Sequence, residues 1–184
     1  LDHKNINICL SEKFSKSSLK EFTYCFNSMP IDEFYDFKFG NLPYRSIKFK
    51  HSITESDSSS GHVTINYSDS SKHTRETWWH NIPGHHVKRK DLFVKTQEEP
   101  CDYKDNNYER YYPVKTSDDR FGEIYKKYRN LKEENIEFIG RCGTYQYLDM
   151  HQVVNQSLLN VNRWIKDHES VSYTHLTLPT TSSV

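Results

Sequence analysis

Phe138-Ile-Gly-Arg-Cys-Gly-Thr-Tyr-Gln-Tyr-Leu-Asp-Met-His-Gln152 is the stretch whose reading decides the fold. The apolar run Ile136-Glu-Phe-Ile139 leading into it reads as a short strand. Gly140, Arg141 and Gly143 then make a glycine-rich turn, and a helix follows. Met150, Val153, Val154, Leu158, Val161, Trp164 and Ile165 recur at helical spacing. Asp149 with Gln152 three residues on has the form of a capping box, which predicts Asp149 as the N-cap. A glycine-rich turn between a strand and a helix start is where backbone N–H groups and the helix dipole can meet an anion.

Upstream of that stretch the period differs. Phe121, Ile124, Tyr125, Tyr128 and Leu131 predict a helix from about Asp118. Earlier still, the signals are short strands separated by polar turns: Asn5–Leu10, Phe22–Phe26, Tyr44–Lys50, His62–Tyr67, Thr74–Asn81 and Leu92–Thr96. Ile31–Phe37 reads as one or two turns of helix, and Ser56–Gly61 as a loop. Successive short strands predict an antiparallel sheet rather than βαβ repeats. His80-Asn-Ile-Pro-Gly-His85-His86 gathers histidines, but Pro83-Gly84 makes it a solvated turn and its spacing matches no zinc arrangement.

Composition narrows the class. The formal net charge is +0, which argues against nucleic acid or an anionic membrane as a bulk electrostatic partner. The hydrophobic share is 34%, below the roughly 45–50% of ordinary globular chains. Cys9, Cys25, Cys101 and Cys142 show no C-x-x-C spacing, so a metal site or disulfide framework is not expected and a reducing cytoplasm fits. The chain opens at Leu1 without a charged-plus-apolar leader, and no apolar run is long enough to span a bilayer. After Glu169 charge disappears, and Val171–Thr181 reads as a frame translation of a sequencing-library adapter; residues 170–184 are expected to be a non-native or disordered tail.

Gly140-Arg-Cys-Gly-Thr-Tyr-Gln-Tyr-Leu-Asp-Met150 resembles the flavin-contacting G-R-L-G-x-Y-x-Y-x-D-M motif of UDP-galactopyranose mutases, with Cys142 in place of Leu. Further elements are similar in the same order: Pro30-Ile-Asp-Glu33, Phe39-Gly40, Tyr44-Arg-Ser46, Asn66-Tyr67, Thr74-Arg75 and Arg110-Tyr-Tyr-Pro-Val114. Ser28-Met29 departs from a Thr-Gly, His73 from a Tyr, and Trp78-Trp79 stand where an acid is expected. A dinucleotide-binding G-x-G-x-x-G and the family's helical domain are absent from the sequence, which makes the chain resemble a C-terminal half.

The resemblance implies a mixed α+β and α/β fragment. An antiparallel substrate-binding sheet would occupy 38–117, and 1–37 with 118–169 would supply part of a Rossmann-like FAD domain. It implies a cytoplasmic isomerase of polysaccharide and cell-wall biosynthesis, interconverting UDP-galactopyranose and UDP-galactofuranose. Reduced FAD would act through N5 as nucleophile at the anomeric carbon. Arg45, Tyr112 and Tyr147 would bind the substrate diphosphate, while Gly140, Arg141, Gly143, Asp149 and Met150 would meet the flavin. The physical case is strongest for Arg45, whose guanidinium can give two charge-assisted hydrogen bonds to phosphate oxygens. Each residue has a plainer reading beside this one: an exposed strand Arg, core tyrosines, a helix cap at Asp149, and a surface salt bridge for Arg141. The resemblance also admits a homo-oligomer at full length. Two alternatives remain open, a redox flavoprotein of the amine-oxidase type and a non-catalytic nucleotide-sugar-binding remnant. The chain alone is expected to bind FAD poorly and to aggregate through exposed packing faces.

Overall fold

Short strands form where buried and exposed side chains alternate, and β2 (Tyr44–Thr54) begins that way: Tyr44 and Ser46 are 0% and 1% exposed, while Arg45 between them faces solvent. The computed structural model describes residues 3–84, 91–131 and 133–173, with side chains through 168. Two compact units result. One joins Leu1–Asn41 to Glu123–Val184, and the other is the continuous stretch Leu42–Gly122.

The continuous unit is built on a five-stranded sheet. Its further strands are β3 (Thr64–Asn66), β4 (Arg75–Trp78), β5 (Phe93–Asp102) and β6 (Tyr112–Pro113). Their order is β3-β4-β5-β2-β6, with every pairing antiparallel. β5 runs well past the predicted Leu92–Thr96, through two glutamates and Pro100, because β2 pairs with it as far as Arg45–Asp102. Pro100 is tolerated because β4 stops pairing at Arg75–Glu98, so its missing N–H interrupts no ladder. Trp78, 1% exposed, anchors the buried side.

The discontinuous unit carries a parallel pair of short strands, β1 (Cys25–Asn27) and β7 (Ile136–Phe138), in register Cys25–Ile136 to Asn27–Phe138. Helices α1 (Ile31–Phe34), α2 (Arg120–Arg129), α3 (Gly140–Gly143) and α4 (Met150–Tyr173) complete the helical inventory of the described residues outside three 3-10 turns. The boundary between the units falls inside α2. α1 is shorter than the expected Ile31–Phe37 because Asp36 and Phe37 take positive φ, 50° and 55°, which ends a right-handed helix. Ile31, Phe34 and Tyr128 are at most 3% exposed and form the core, with the Phe34 ring 5.3 Å from that of Phe138. Trp164 of α4 packs on Tyr24 at 5.3 Å and Phe26 at 6.4 Å, which lays the helix against β1.

One predicted strand is not formed. Asn5–Leu10 is irregular, and Ile6, Ile8 and Leu10 are 48%, 52% and 81% exposed. Its alternation is real, but no strand of the described residues lies beside it to take up its backbone groups. At the other end α4 continues through Tyr173, past the expected end of the ordered chain near 169, while residues 174–184 of the predicted tail lie outside the described residues. Among the described residues no helix is long and apolar enough to cross a membrane.

Candidate functional site

Arg45 and Tyr112 stand directly opposite each other on β2 and β6. Opposite residues of an antiparallel pair project from the same face with Cβ atoms about 4.5–5.5 Å apart. The contact is fixed by the backbone, since the Tyr111 N–H donates to the Arg45 carbonyl at 3.0 Å and the Val114 N–H to Pro43 at 3.1 Å. Asp102 faces Arg45 from the other side on β5 and also caps the following turn, accepting from the Lys104 N–H at 3.0 Å. A planar cation and a phenol side by side on an exposed strand end can clamp a diphosphate.

Arg110, two residues before Tyr112, was quoted above only as part of a motif. Its guanidinium lies 5.7 Å from the Tyr44 ring centroid and 5.4 Å from that of Tyr103, so a second cation is held among aromatic rings at the same end of the sheet. Asn106 fixes the intervening turn through Ser46 Oγ at 2.9 Å and the Ile47 carbonyl at 3.2 Å.

Tyr147, expected as a diphosphate contact, and the expected flavin contacts belong to the discontinuous unit. There Gly140 has φ +71°, open to glycine and strained for other residues, and a Cβ on it would meet only Ser28 at 3.8 Å. Gly143 is constrained differently: a Cβ would lie 2.9 Å from the Asn27 carbonyl oxygen, so its missing side chain lets α3 close onto β1. The Gly140 N–H donates to Gln156 Oε1 at 2.8 Å, which ties the turn to the second turn of α4. Arg141 donates through Nε to the Leu148 carbonyl at 2.5 Å, and its guanidinium lies 5.0 Å from the Tyr147 ring centroid. Arg141 thus makes a backbone contact and an aromatic contact.

Asp149 occupies the N-cap position of α4. Its carbonyl accepts the first helical bond, from the Val153 N–H at 3.0 Å, and Gln152 Oε1 reaches back to its N–H at 2.7 Å. Asp149 is exposed and Met150 is 82% exposed, so the first turn of this long helix is open to a ligand. Tyr147 is 57% exposed, whereas Tyr145 is buried at 7% and stacks on Tyr125 with centroids 6.1 Å apart. Beside this turn, Thr144, Gln146 and Gln156 share with Tyr35, Tyr128 and Arg163 a cleft of about 700 Å³. Burial, helped by Glu133, pushes the Tyr35 phenol up to about 12, so it stays a donor to the Leu131 carbonyl at neutral pH.

Sequence reasoning missed one cluster. Glu76, directly after Thr74-Arg75, is 5% exposed and accepts from Tyr67 Oη at 3.0 Å, Lys95 Nζ at 3.0 Å and Gln97 Nε2 at 2.6 Å. Burial alone would raise its pKa; the hydrogen bonds from Lys95, Gln97 and Tyr67 outweigh it and hold the carboxyl below its usual range. Its place in the buried phase of β4 was the available signal. Of the histidine turn, Pro83-Gly84 does turn, with Gly84 at φ +78°, and His85 and His86 lie outside the described residues. The four cysteines are not joined by disulfides.

A family model described as UDP-galactopyranose mutase matches residues 1–147. Among curated proteins, the chain is 32% identical to dTDP-fucopyranose mutase of Escherichia coli, with 92% of this chain aligned to 46% of that protein. It is 30% identical to the probable UDP-galactopyranose mutase of Klebsiella pneumoniae, covering 89% of this chain and 42% of the relative. With UDP-galactopyranose mutase of Mycoplasma genitalium the identity is 29%, over 70% and 32% respectively. The chain therefore spans less than half the length of these relatives.

Proposed function

Because the chain belongs to the UDP-galactopyranose mutase family, we propose that it is the part of such an isomerase that grips the diphosphate of a nucleotide sugar and meets the edge of a flavin. The observation that carries this reading is the Arg45–Tyr112 pair, two motif residues distant in sequence and opposed across one strand pair. Arg45 would hold two phosphate oxygens with its guanidinium fork, and Tyr112 would donate its hydroxyl to a third. As the bond between the sugar and the diphosphate breaks, negative charge gathers on the departing UDP, and Arg45 stabilises that charge.

FAD is the cofactor that the family implies, and the start of α4 fits it. A helix of 24 residues ends there in a turn whose Asp149 and Met150 are both exposed. The free N–H groups of such a turn favour an anionic partner. Asp149 and Met150, with the Gly140–Gly143 turn and Arg141, would hold the flavin. When bound, the reduced cofactor supplies N5 as nucleophile toward the anomeric carbon of the sugar.

A second substrate reading is favoured by the Escherichia coli relative, whose name assigns it dTDP-fucopyranose. Titration of the chain with UDP and with dTDP tests both. Binding of either that falls at least about tenfold in Arg45→Ala supports the diphosphate grip, since charge-assisted contacts contribute about 1.5–3 kcal/mol. The preferred nucleotide chooses between the substrates. Equal binding by the Arg45→Ala chain would defeat the assignment of Arg45.

A further inference from the structure

β6 is a strand of two residues, and it meets β2 only at Tyr44 and Arg45. So short a pairing specifies its register weakly, and tyrosines stand at both 111 and 112. A slip of one residue would bring Tyr111 opposite Arg45 and turn the Tyr112 side chain to the other face of the sheet. Which phenol accompanies Arg45 is therefore set by contacts outside the two paired residues.

The approach to β6 supplies one. It begins after β5 with the 3-10 turn Tyr103–Asn106, which Asn106 ties to β2 through Ser46 Oγ and the Ile47 carbonyl. Tyr44 of β2 and Tyr103 of that turn are both buried, and their rings meet edge to face with centroids 6.1 Å apart. Together they form a fixed aromatic corner. The chain then reverses at Asn107 and Tyr108, with φ of 53° and 60°, and the Glu109 N–H closes the reversal by donating to the Asn106 carbonyl at 2.9 Å. Arg110 follows directly, and its guanidinium enters the corner, 5.7 Å from the Tyr44 centroid and 5.4 Å from that of Tyr103. A planar cation is drawn to aromatic faces and stacks on them, and here it is seated two residues before Tyr112.

We propose that Arg110 is a positioning residue for the diphosphate grip: seated against Tyr44 and Tyr103, it fixes the register of β6 so that the Tyr112 hydroxyl, and not that of Tyr111, stands beside Arg45. Arg110 acts through Tyr112 and does not itself touch the substrate. Backbone bonds alone are the weaker explanation of the register. The Tyr111 and Val114 N–H groups bond to β2 and to Pro43 just before it, but Pro113 between them has no N–H to add. The proposal rests on the diphosphate reading of Arg45 and Tyr112.

The test takes two readouts in the full chain: affinity for UDP and dTDP, and hydrogen exchange of the Tyr111 and Val114 amides. Arg110→Met keeps an unbranched stem and removes the cation. Both amides should then exchange at least about tenfold faster, while those that pair β4 with β5 keep their native rates. Affinity for the preferred nucleotide should fall by at least about fivefold. Tyr112→Phe should weaken binding by as much, and adding Arg110→Met to it should change affinity by less than about twofold, because effects exerted through one hydroxyl do not add. Arg110→Lys retains a cation that aromatic faces attract and should fall between the native and Arg110→Met chains. Native amide rates in Arg110→Met, equal quickening across β4 and β5, an undiminished loss of affinity on the Tyr112→Phe background, or an Arg110→Lys chain worse than Arg110→Met overturns the proposal. Binding of neither nucleotide by the native chain would instead defeat the diphosphate reading, and the amide rates would then decide the register lock by themselves.

Discussion

The two units solve the same problem with different means. The continuous unit pairs β3 with β4 and β4 with β5 as successive strands, and β2 meets β5 and β6 from farther along the same uninterrupted stretch, every pairing antiparallel. The discontinuous unit brings Cys25–Asn27 beside Ile136–Phe138, with the whole of the other unit inserted between. Parallel neighbours need a long crossover, and a two-stranded pair is at best marginal by itself. The antiparallel unit thus draws its order from packing and a buried charge network, while the parallel unit depends on close helix–strand fits and aromatic contacts. Substitutions that act on one kind of support and not the other break or sharpen this contrast.

The largest effect should come from Trp78→Ala. A buried aromatic truncated to Ala typically costs about 3–5 kcal/mol, and Trp78 is the largest fully buried side chain. The loss should appear in urea unfolding followed by the NMR signals of β4 and β5. The indole signal of Trp164 reports the discontinuous unit. If that signal melts at the same shifted midpoint, the units are not separately supported and the contrast fails.

Glu76→Gln comes next. The variant keeps a hydrogen-bonding side chain but removes the charge facing Lys95, and bonds to charged groups contribute about 1.5–3 kcal/mol each. The carboxyl sits below its usual range in the folded state, so its contribution is complete above the unfolded pKa and fades as pH falls through the folded one. The native sheet should therefore lose stability on acidification, and the Gln variant should lose less over the same range. Equal acid sensitivity of the two proteins would show that other groups carry the effect.

For the parallel unit the matching test is Gly143→Ala. The new Cβ would press on the Asn27 carbonyl at 2.9 Å, a backbone atom in β1 that cannot step aside cheaply. Overpacking of this kind costs about 1–3 kcal/mol. Gly140→Ala has no comparable clash, so its penalty arises only from its φ of +71°. If the two variants unfold alike, the fit of α3 on β1 is looser than the distances state.

How far these supports could be read from the residues differs between the units. Alternation announced β2 and the antiparallel sheet, and the capping pattern at Asp149 and Gln152 announced α4. Charge and Pro100 concealed the length of β5, because its pairing is imposed by β2 and not by its own propensity. Asn5–Leu10 alternates like a strand yet finds no partner, since a strand exists only in a sheet. Arg45 and Tyr112 could each be named from a motif, but their opposition is a matter of register, which no single motif contains. Glu76 was hidden for the same reason: its partners come from other points in the chain, and one acidic letter does not display them.

The smallest expected effect sharpens the contrast where the first segment of the parallel unit ends. The Tyr128 hydroxyl donates to the Gly40 carbonyl at 2.8 Å and accepts from the Phe39 N–H at 2.9 Å, pinning those residues to α2. Burial raises this phenol's pKa, so it remains protonated and able to do both at neutral pH. Tyr128→Phe keeps the ring, its packing on Phe39 at 5.1 Å and its stacking on Tyr35 at 6.2 Å, and removes only the two polar contacts. A net hydrogen bond contributes about 0.5–1.5 kcal/mol, so unfolding should shift by about 1 kcal/mol and the Phe39 amide should exchange faster. A shift as large as that of Trp78→Ala would mean that this polar clamp, and not aromatic packing, is what holds the discontinuous unit together.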